Sequence, residues 1–440
     1  MTIRQDSAKS APHGPGKPRE HYRLRTRLIH GSFASGRWDY DHHVVPPQSS
    51  SATFRLRSVQ RGVQGFVEFA QPEAQKAPIY IYDRLDEPTR GMLEENLAVA
   101  EGGEMGVTFA TGMAAISAAI GTLTVSGDQI VAHRVLYGST HSLLTNWLPR
   151  YHIRTDFADL RRPESLERVA TKHCRVVYFE TPVNPTMELI DIPAVRRVVD
   201  RLNAGRAEAE QVRIVVDNTF ATPYCQRPLE FGADLVVHSL TKDIGGFGTD
   251  MGGAAIGSNR YYNLLMLYRK DFGGVLSPKN AWSFLVYGLP TLATRMVNQQ
   301  KAAMKVAEFL LKQPKVARVV YPGLDCFPQR DLARRQMLNY EGKFSPGSLL
   351  YFELKGADGN AAAAERFVDY VAENAYTITL AVSLGQIKTL IENPFSMTHA
   401  TVPDEEKLNC GLRPGGIRLS LGLEDWHDII ADLEAALAIA

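Results

Sequence analysis

The chain has 440 residues, of which 45% are hydrophobic and 22% charged, and a formal net charge of +1. Those totals describe a globular protein of one large or two medium domains, and the near-neutral balance excludes bulk attraction to nucleic acid or to an anionic membrane. Four scattered cysteines (Cys174, Cys225, Cys326, Cys410) form no Cys-x-x-Cys pair, which argues against a zinc site or disulfide framework and fits a reducing cytoplasm.

No apolar run is long enough to span a bilayer, and the N-terminus lacks the apolar core of a secretory signal. Asp6 and Glu20 also count against a transit peptide. Residues 1 to about 20 are rich in Pro, Gly, Ser, Lys and Arg, and predict a mobile arm. His42 and His43 stand before Pro46-Pro47 with no third ligand at a suitable spacing, so they read as an exposed loop pair and no metal site is expected. Residues 48–78, punctuated by Gly62, Gly65, Pro72 and Pro78, predict an extended arm with a loop that wraps another surface. Tyr80-Ile-Tyr82-Asp-Arg84 and Pro88-Thr-Arg90 follow, then helical spacing from Met92 to Ala100, ended by Gly102-Gly103.

From there strands and helices alternate. Val107–Ala110 is a strand, and Thr111-Gly112-Met113 opens a helix to about Leu123. A strand, a glycine turn and a helix N-terminus make a phosphate cradle of free N–H groups. Gln129–Ala132 is a strand that precedes Tyr137-Gly-Ser-Thr-His at a helix start. Arg175–Glu180 is a strand that runs into Thr181-Pro-Val-Asn184-Pro185, and Ile192–Asn203 is a helix. Ile214–Val216 is a β-branched run that stops at Asp217; Leu235–Val237 is another that stops at His238-Ser239-Leu-Thr241-Lys242; Gly252–Ile256 is a further strand. Repeated β-then-α units predict a mostly parallel sheet with helices on both faces. Beyond Trp282 come a long helix to about Leu311, strands at Ser348–Leu354, Thr379–Val382 and Ile417–Leu421, and helices at Ala361–Asn374 and Trp426–Ala440. The expected division is an N-terminal tail and arm over 1–84, an α/β domain over 85–281, and a smaller α+β domain over 282–440.

Ligands in parallel sheets sit at the carboxyl ends of the strands, where this chain puts Asp217 and Lys242. An acid beside a lysine there points to pyridoxal 5'-phosphate (PLP): the lysine would bind its aldehyde as a Schiff base, and the acid would hold its pyridine nitrogen protonated. By spacing alone the pair equally admits a buried strand acid matched to a surface lysine.

With these motifs in order over residues 22–440, the chain resembles the Cys/Met-metabolism PLP-dependent enzymes: cystathionine γ-synthase, cystathionine β- and γ-lyases, O-acylhomoserine sulfhydrylases and methionine γ-lyase. The resemblance implies PLP fold-type I, the aspartate-aminotransferase class, and a homotetramer of two intimate dimers with shared active sites. It implies Lys242 as the cofactor-bearing, proton-shuttling lysine, and Asp217 as the partner of the pyridinium. Gly112 and Met113 would offer N–H groups to the phosphate, with hydroxyls from Ser239 and Thr241. Tyr82 and Arg84 match the Tyr-x-Arg pair that reaches the phosphate from the neighbouring subunit. Tyr137 would stack on the ring and supply the acid for the leaving group, its phenol eased by cations such as Arg84. Arg418, in Ile-Arg-Leu-Ser-Leu-Gly-Leu-Glu, would clamp the substrate carboxylate, with Ser383 and Asn184 nearby.

Within the family, Ala381-Val-Ser-Leu-Gly, Thr389-Leu-Ile, Ser396-Met-Thr-His and Arg269-Lys-Asp before Val275-Leu-Ser-Pro278 look most like methionine γ-lyase. That implies a C–S lyase which eliminates a γ-thiol from L-methionine or a related homoserine-derived amino acid. The chain departs from the pattern at Ser139 (Cys in those enzymes), at Asp243 (commonly Tyr) and at Gly245-Gly-Phe-Gly (commonly Asn-Gly-His); residues 59–78 read as an insertion. Cystathionine γ-lyase, cystathionine γ-synthase and O-acylhomoserine sulfhydrylase therefore stay open. Outside the class, an aminotransferase and a non-catalytic PLP-binding protein stay open as well.

Overall fold

A computed structural model of the chain describes residues 19–31, 43–69, 80–355, 361–398, 400, 404–409 and 411–439. His42, Cys410, most of the predicted N-terminal tail and the second half of the 59–78 segment lie outside these residues.

Seven strands build the large sheet: β1 (Met105–Phe109), β2 (Gln129–His133), β3 (Arg154–Ala158), β4 (Cys174–Glu180), β5 (Arg213–Asp217), β6 (Leu235–Ser239) and β7 (Gly253–Gly257). Their order is β1-β7-β6-β5-β4-β2-β3. The run from β3 to β6 is parallel, while β7 is antiparallel to both β6 and β1. The mostly parallel sheet is therefore as predicted. Its central strands are apolar on both faces because helices cover both, and Val176, Val177, Ile214, Val215, Val216, Val236 and Val237 are fully buried. A smaller, mixed sheet holds β8 (Val316–Val320), β9 (Leu349–Leu354), β10 (Ile378–Leu380), β11 (Thr389–Glu392) and β12 (Gly416–Ser420), in the order β10-β11-β12-β9-β8.

Helix boundaries follow local chemistry. Helix Ile192–Asn203 is capped by Asp191, whose carboxylate accepts from the Ala194 N–H at 2.9 Å. It buries Ile192, Val195, Val198 and Val199, a 3–4 spacing on one face, each worth about 1.5–3 kcal/mol. Helix Pro88–Glu101 begins with Pro88 in its first turn and ends at Gly102, whose φ of 74° is left-handed.

Two predicted elements need correction, and several others were not predicted. Residues 59–67 are a helix, Val59–Val67, capped by Ser58, rather than part of an extended arm. Val59, Val63, Phe66 and Val67 do carry the helical period, but Gly62 and Gly65, each costing a helix interior about 1 kcal/mol, obscure it. The long helix after Trp282 is interrupted: Pro278–Ser283 passes through a π-turn at Phe284–Gly288 into Leu289–Leu310. There Arg295 donates to the carbonyls of Gly288, Asp243 and Ile244 (2.8, 2.6 and 3.2 Å), tying the turn to the Lys242 loop. Strands β3, β8 and β11 and helix Tyr262–Phe272 had no sequence counterpart; β3 and β8 are sheet edges with exposed polar residues and so lack an apolar run.

Candidate active site

The register of the large sheet sets its chemistry. Glu180 at the end of β4 lies opposite Asp217 at the end of β5, and Asp217 lies opposite Val237 on β6. Three consecutive strand ends thus deliver Glu180, Asp217 and the Ser239–Lys242 loop to one place. A cavity of about 250 Å³ opens there. Gly112, Met113, Tyr137, Asn184, Asp217, Ser239, Thr241, Lys242, Ser383 and Arg418 all line it, so ten predicted residues from seven separate segments meet.

Helix Gly112–Gly121 points its N-terminus into this cavity. The Thr111 hydroxyl accepts from the Ala114 N–H at 3.1 Å, which leaves the Gly112 and Met113 N–H groups without intrahelical acceptors. A Cβ at Gly112 would lie 2.8 Å from Ser239 Cβ, so only glycine lets the helix approach β6 this closely. The result is a cradle of helix N–H groups with the Ser239 and Thr241 side chains beside it. It fits a phosphate, and a lysine and an acid stand in the same cavity to meet an aldehyde and a pyridine nitrogen.

Lys242 Nζ donates to Ser383 Oγ at 3.2 Å. Burial first, then the Arg418 charge, pulls its ammonium below the usual lysine value, against the opposing pull of Glu392 and Asp243. Asp217 accepts from the Thr219 N–H at 2.9 Å and from the Tyr178 hydroxyl at 3.4 Å. Burial raises its carboxyl, and Thr219, His238 and Tyr178 oppose the rise. Burial, and then the neighbouring Asp217 charge, push Glu180 up to about 8. Two carboxyls in one dry site cannot both stay ionised without a cation between them. Glu180 also accepts the Tyr137 N–H at 2.6 Å and so holds the start of helix Gly138–Ser142 in place.

Arg418 is only 4% exposed. Its Nη1 donates to Asn184 Oδ1 at 3.0 Å, its Nη2 donates to the Ser383 carbonyl at 2.7 Å, and Nη1 is also 3.0 Å from Glu392 Oε1. The predicted trio of Arg418, Asn184 and Ser383 is therefore one hydrogen-bonded cluster. Tyr82 and Arg84 are not among the residues that line this cavity. Tyr82 is 45% exposed, and Arg84 Nη1 donates to the Lys270 carbonyl at 2.6 Å. The base of their segment is fastened by the fully buried Arg90, which donates to Asp83 Oδ1 and to the Leu276 carbonyl, both at 2.9 Å.

Sequence reasoning missed Glu180 and Glu392 as site residues. Glu180 had the same signal as Asp217, an acid that ends a buried strand. Glu392 also ends a short apolar strand, but nothing local ties it to Arg418, which lies 26 positions further on. Among the departures, Ser139 does not line the main cavity; it lines a neighbouring one of about 420 Å³ with Met113, Ser117 and Trp147. Asp243 is wholly buried, accepts from the Ser348 hydroxyl at 3.4 Å, and is pushed up to about 6 by burial against the pull of Arg295.

Comparison with known proteins bears on this arrangement. The chain is 38% identical over 414 residues to L-methionine gamma-lyase of Pseudomonas putida, covering 94% of this chain and 96% of the relative. It is 39% identical over 414 residues to L-methionine gamma-lyase of Porphyromonas gingivalis, with the same coverage. It is 38% identical over 418 residues to cystathionine gamma-lyase of Dictyostelium discoideum, covering 95% of this chain and 98% of the relative. The model of the Cys/Met metabolism PLP-dependent enzyme family matches residues 25–438, and the chain belongs to that family.

Proposed function

We propose that the protein is a PLP-dependent C–S lyase that converts L-methionine, or a related homoserine-derived amino acid, with water into 2-oxobutanoate, ammonia and a thiol. The observation that carries this reading is the single cavity that joins Lys242 and Asp217 to the Arg418–Asn184–Ser383 cluster, with Met251, Val382 and Leu384 as apolar wall. The cluster suits an α-carboxylate, and the apolar wall suits a thioether.

When bound, PLP supplies an electron sink for the carbanion formed at the substrate Cα. Gly112 and Met113 N–H groups with the Ser239 and Thr241 hydroxyls would hold its phosphate, Asp217 its ring nitrogen and Lys242 its aldehyde carbon. The free Lys242 amine would take the Cα proton and, after giving that proton up to solvent, a Cβ proton. Burial and the Arg418 charge both favour its unprotonated form. The Tyr137 hydroxyl donates a proton to the departing γ-sulfur. Arg418 fixes the carboxylate and thereby aims the Cα–H bond at Lys242.

In this reading Tyr82 and Arg84 serve the cavity of a neighbouring subunit in a homotetramer of two dimers, and the enzyme works in the cytoplasm. Among the described residues no helix is long and apolar enough to cross a membrane. The test is 2-oxobutanoate release by the PLP-loaded protein from L-methionine, L-cystathionine, and O-acetyl-L-homoserine with and without sulfide. Rapid keto acid from methionine upholds the reading. Keto acid from cystathionine alone makes it a cystathionine γ-lyase. Homocysteine from the acetyl ester and sulfide, with methionine inert, makes it a sulfhydrylase.

A further inference from the structure

Glu392 has no task in the reading above, yet it lines the cavity. It ends β11, and the antiparallel register with β12 sets it directly opposite Arg418. Its side chain is fully buried, with Oε1 3.0 Å from Arg418 Nη1. Backbone register, rather than two flexible side chains finding each other, holds this pair together. Nη1 is thus divided between Asn184 and Glu392, while Nη2 gives one N–H to the Ser383 carbonyl and keeps a second for a ligand. Glu392 Oε2 is buried and has no hydrogen-bond partner. The charged groups that face Glu392 are Arg418 on β12 and Lys242 beyond β6; the Thr398 hydroxyl is 3.5 Å from Oε1. The other neighbour of β11 is β10, Ile378–Leu380, which carries no titratable side chain.

We propose that Glu392 is the resident counter-ion of Arg418: a positioning residue that aims the guanidinium before substrate arrives, and that takes up a proton when an α-amino acid carboxylate docks on the same fork. The inference rests on the reading of Arg418 as the carboxylate clamp. An arriving carboxylate sets a second negative charge against one guanidinium in a dry site, where like charges disfavour each other's ionised forms. Burial already raises the Glu392 carboxyl, and Arg418 is the main force that opposes the rise. Sharing Arg418 with a ligand weakens that opposition, so carboxylate binding and protonation of Glu392 favour each other. Affinity for the carboxylate is then highest at low pH. It falls as pH rises between the titration of Glu392 in the free protein and its higher titration in the complex.

The experiment is calorimetric titration of the PLP-loaded enzyme with 4-(methylthio)butanoate, in two buffers of different ionisation enthalpy. This probe carries a carboxylate and a thioether but no amine, so it cannot enter the reaction. The expected result is uptake of up to about one proton per site in the wild type, no uptake in Glu392→Gln, and about tenfold tighter binding by Glu392→Gln above neutral pH. The amide still accepts from Nη1, so the guanidinium stays aimed while the competing charge is gone. Wild-type binding without proton uptake would overturn the proposal, and that measurement needs no variant to fold. So would a Glu392→Gln enzyme with wild-type affinity and pH dependence. Arg418→Lys separates the two claims. If it binds the probe as the wild type does, the clamp reading fails; if it loses the probe while Glu392→Gln behaves as wild type, only the counter-ion inference fails.

Discussion

Gly112→Ala tests the phosphate cradle where backbone and chemistry are least separable. Alanine is intrinsically better than glycine inside a helix by about 1 kcal/mol, so an uncrowded site would gain stability. Here the added methyl would lie 2.8 Å from Ser239 Cβ, 3.1 Å from Ser239 Cα and 3.2 Å from Ser239 Oγ. Ser239 cannot readily give way: its N–H donates to the Thr219 hydroxyl at 2.9 Å, and the Leu240 N–H donates to the Gly252 carbonyl at 2.9 Å. Overpacking of this kind costs about 1–3 kcal/mol, which in a chain this long lowers Tm by about 1–3 °C. The same displacement moves the helix N–H groups and the Ser239 hydroxyl relative to one another. Loss of one hydrogen bond to a charged phosphate is worth about 1.5–3 kcal/mol, so the PLP dissociation constant should rise about tenfold to a hundredfold. Thermal melts of the apoprotein and absorbance titration with PLP read the two effects separately. An unchanged PLP affinity, or a higher Tm, would refute the account of why glycine stands there.

Lys242→Ala should lower kcat at least 10²–10⁴-fold, the range of a lost proton-transfer group; a rate within tenfold of wild type would remove the lysine from the mechanism. Arg418→Lys keeps the charge but loses the planar fork, so kcat/KM for methionine should fall about tenfold to a hundredfold, as worked from one charge-assisted hydrogen bond of about 1.5–3 kcal/mol. Asp243→Asn should become increasingly more stable than wild type as pH rises. The folded-state value of Asp243, about 6, is above the ordinary 3.8, so its contribution is fully present below the ordinary value and is lost as pH rises through 6. The full difference is worth up to ~3 kcal/mol, of which about 1.4 kcal/mol develops between pH 5 and pH 8, where chemical denaturation reads it. Arg84→Ala should weaken PLP binding in its own assembly, and mixing it with Lys242→Ala subunits should recover part of the activity; no recovery would count against shared sites.

Much of the candidate site was legible because its residues sit where local sequence rules point. Asp217 and Lys242 follow β-branched runs, and Gly112 opens a helix after a strand, so the phosphate side could be read from short windows. Arg418 came from its motif rather than from periodicity. What the sequence withheld is pairing between distant segments. Glu392 and Arg418 meet through the β11–β12 register, and β11 itself is only four residues long. Glu180 was visible as a strand-ending acid, but its bond to the Tyr137 N–H depends on β2 lying beside β4. The helix Val59–Val67 was hidden by two glycines whose backbones face inward, Gly62 close against Leu56.

In the proposed reading, the charges in the cavity are also the reason that the phosphate site would draw on a second chain. Among the residues that line it the cations are Lys242 and Arg418, and the acids are Glu180, Asp217 and Glu392. Arg418 is committed to Asn184, Ser383 and Glu392, and Lys242 to the reacting carbon in the proposed reading. The cradle formed by Gly112, Met113, Ser239 and Thr241 therefore offers a doubly charged phosphate only neutral donors and a helix terminus, whose dipole is worth about half a charge. A buried dianion needs more than that. Arg84, exposed and fastened through the buried Arg90, is a cation that the cradle of its own chain does not use. In the proposed reading a neighbouring subunit's Arg84 supplies the missing charge, and cofactor binding and assembly would then be one equilibrium, each strengthening the other by mass action.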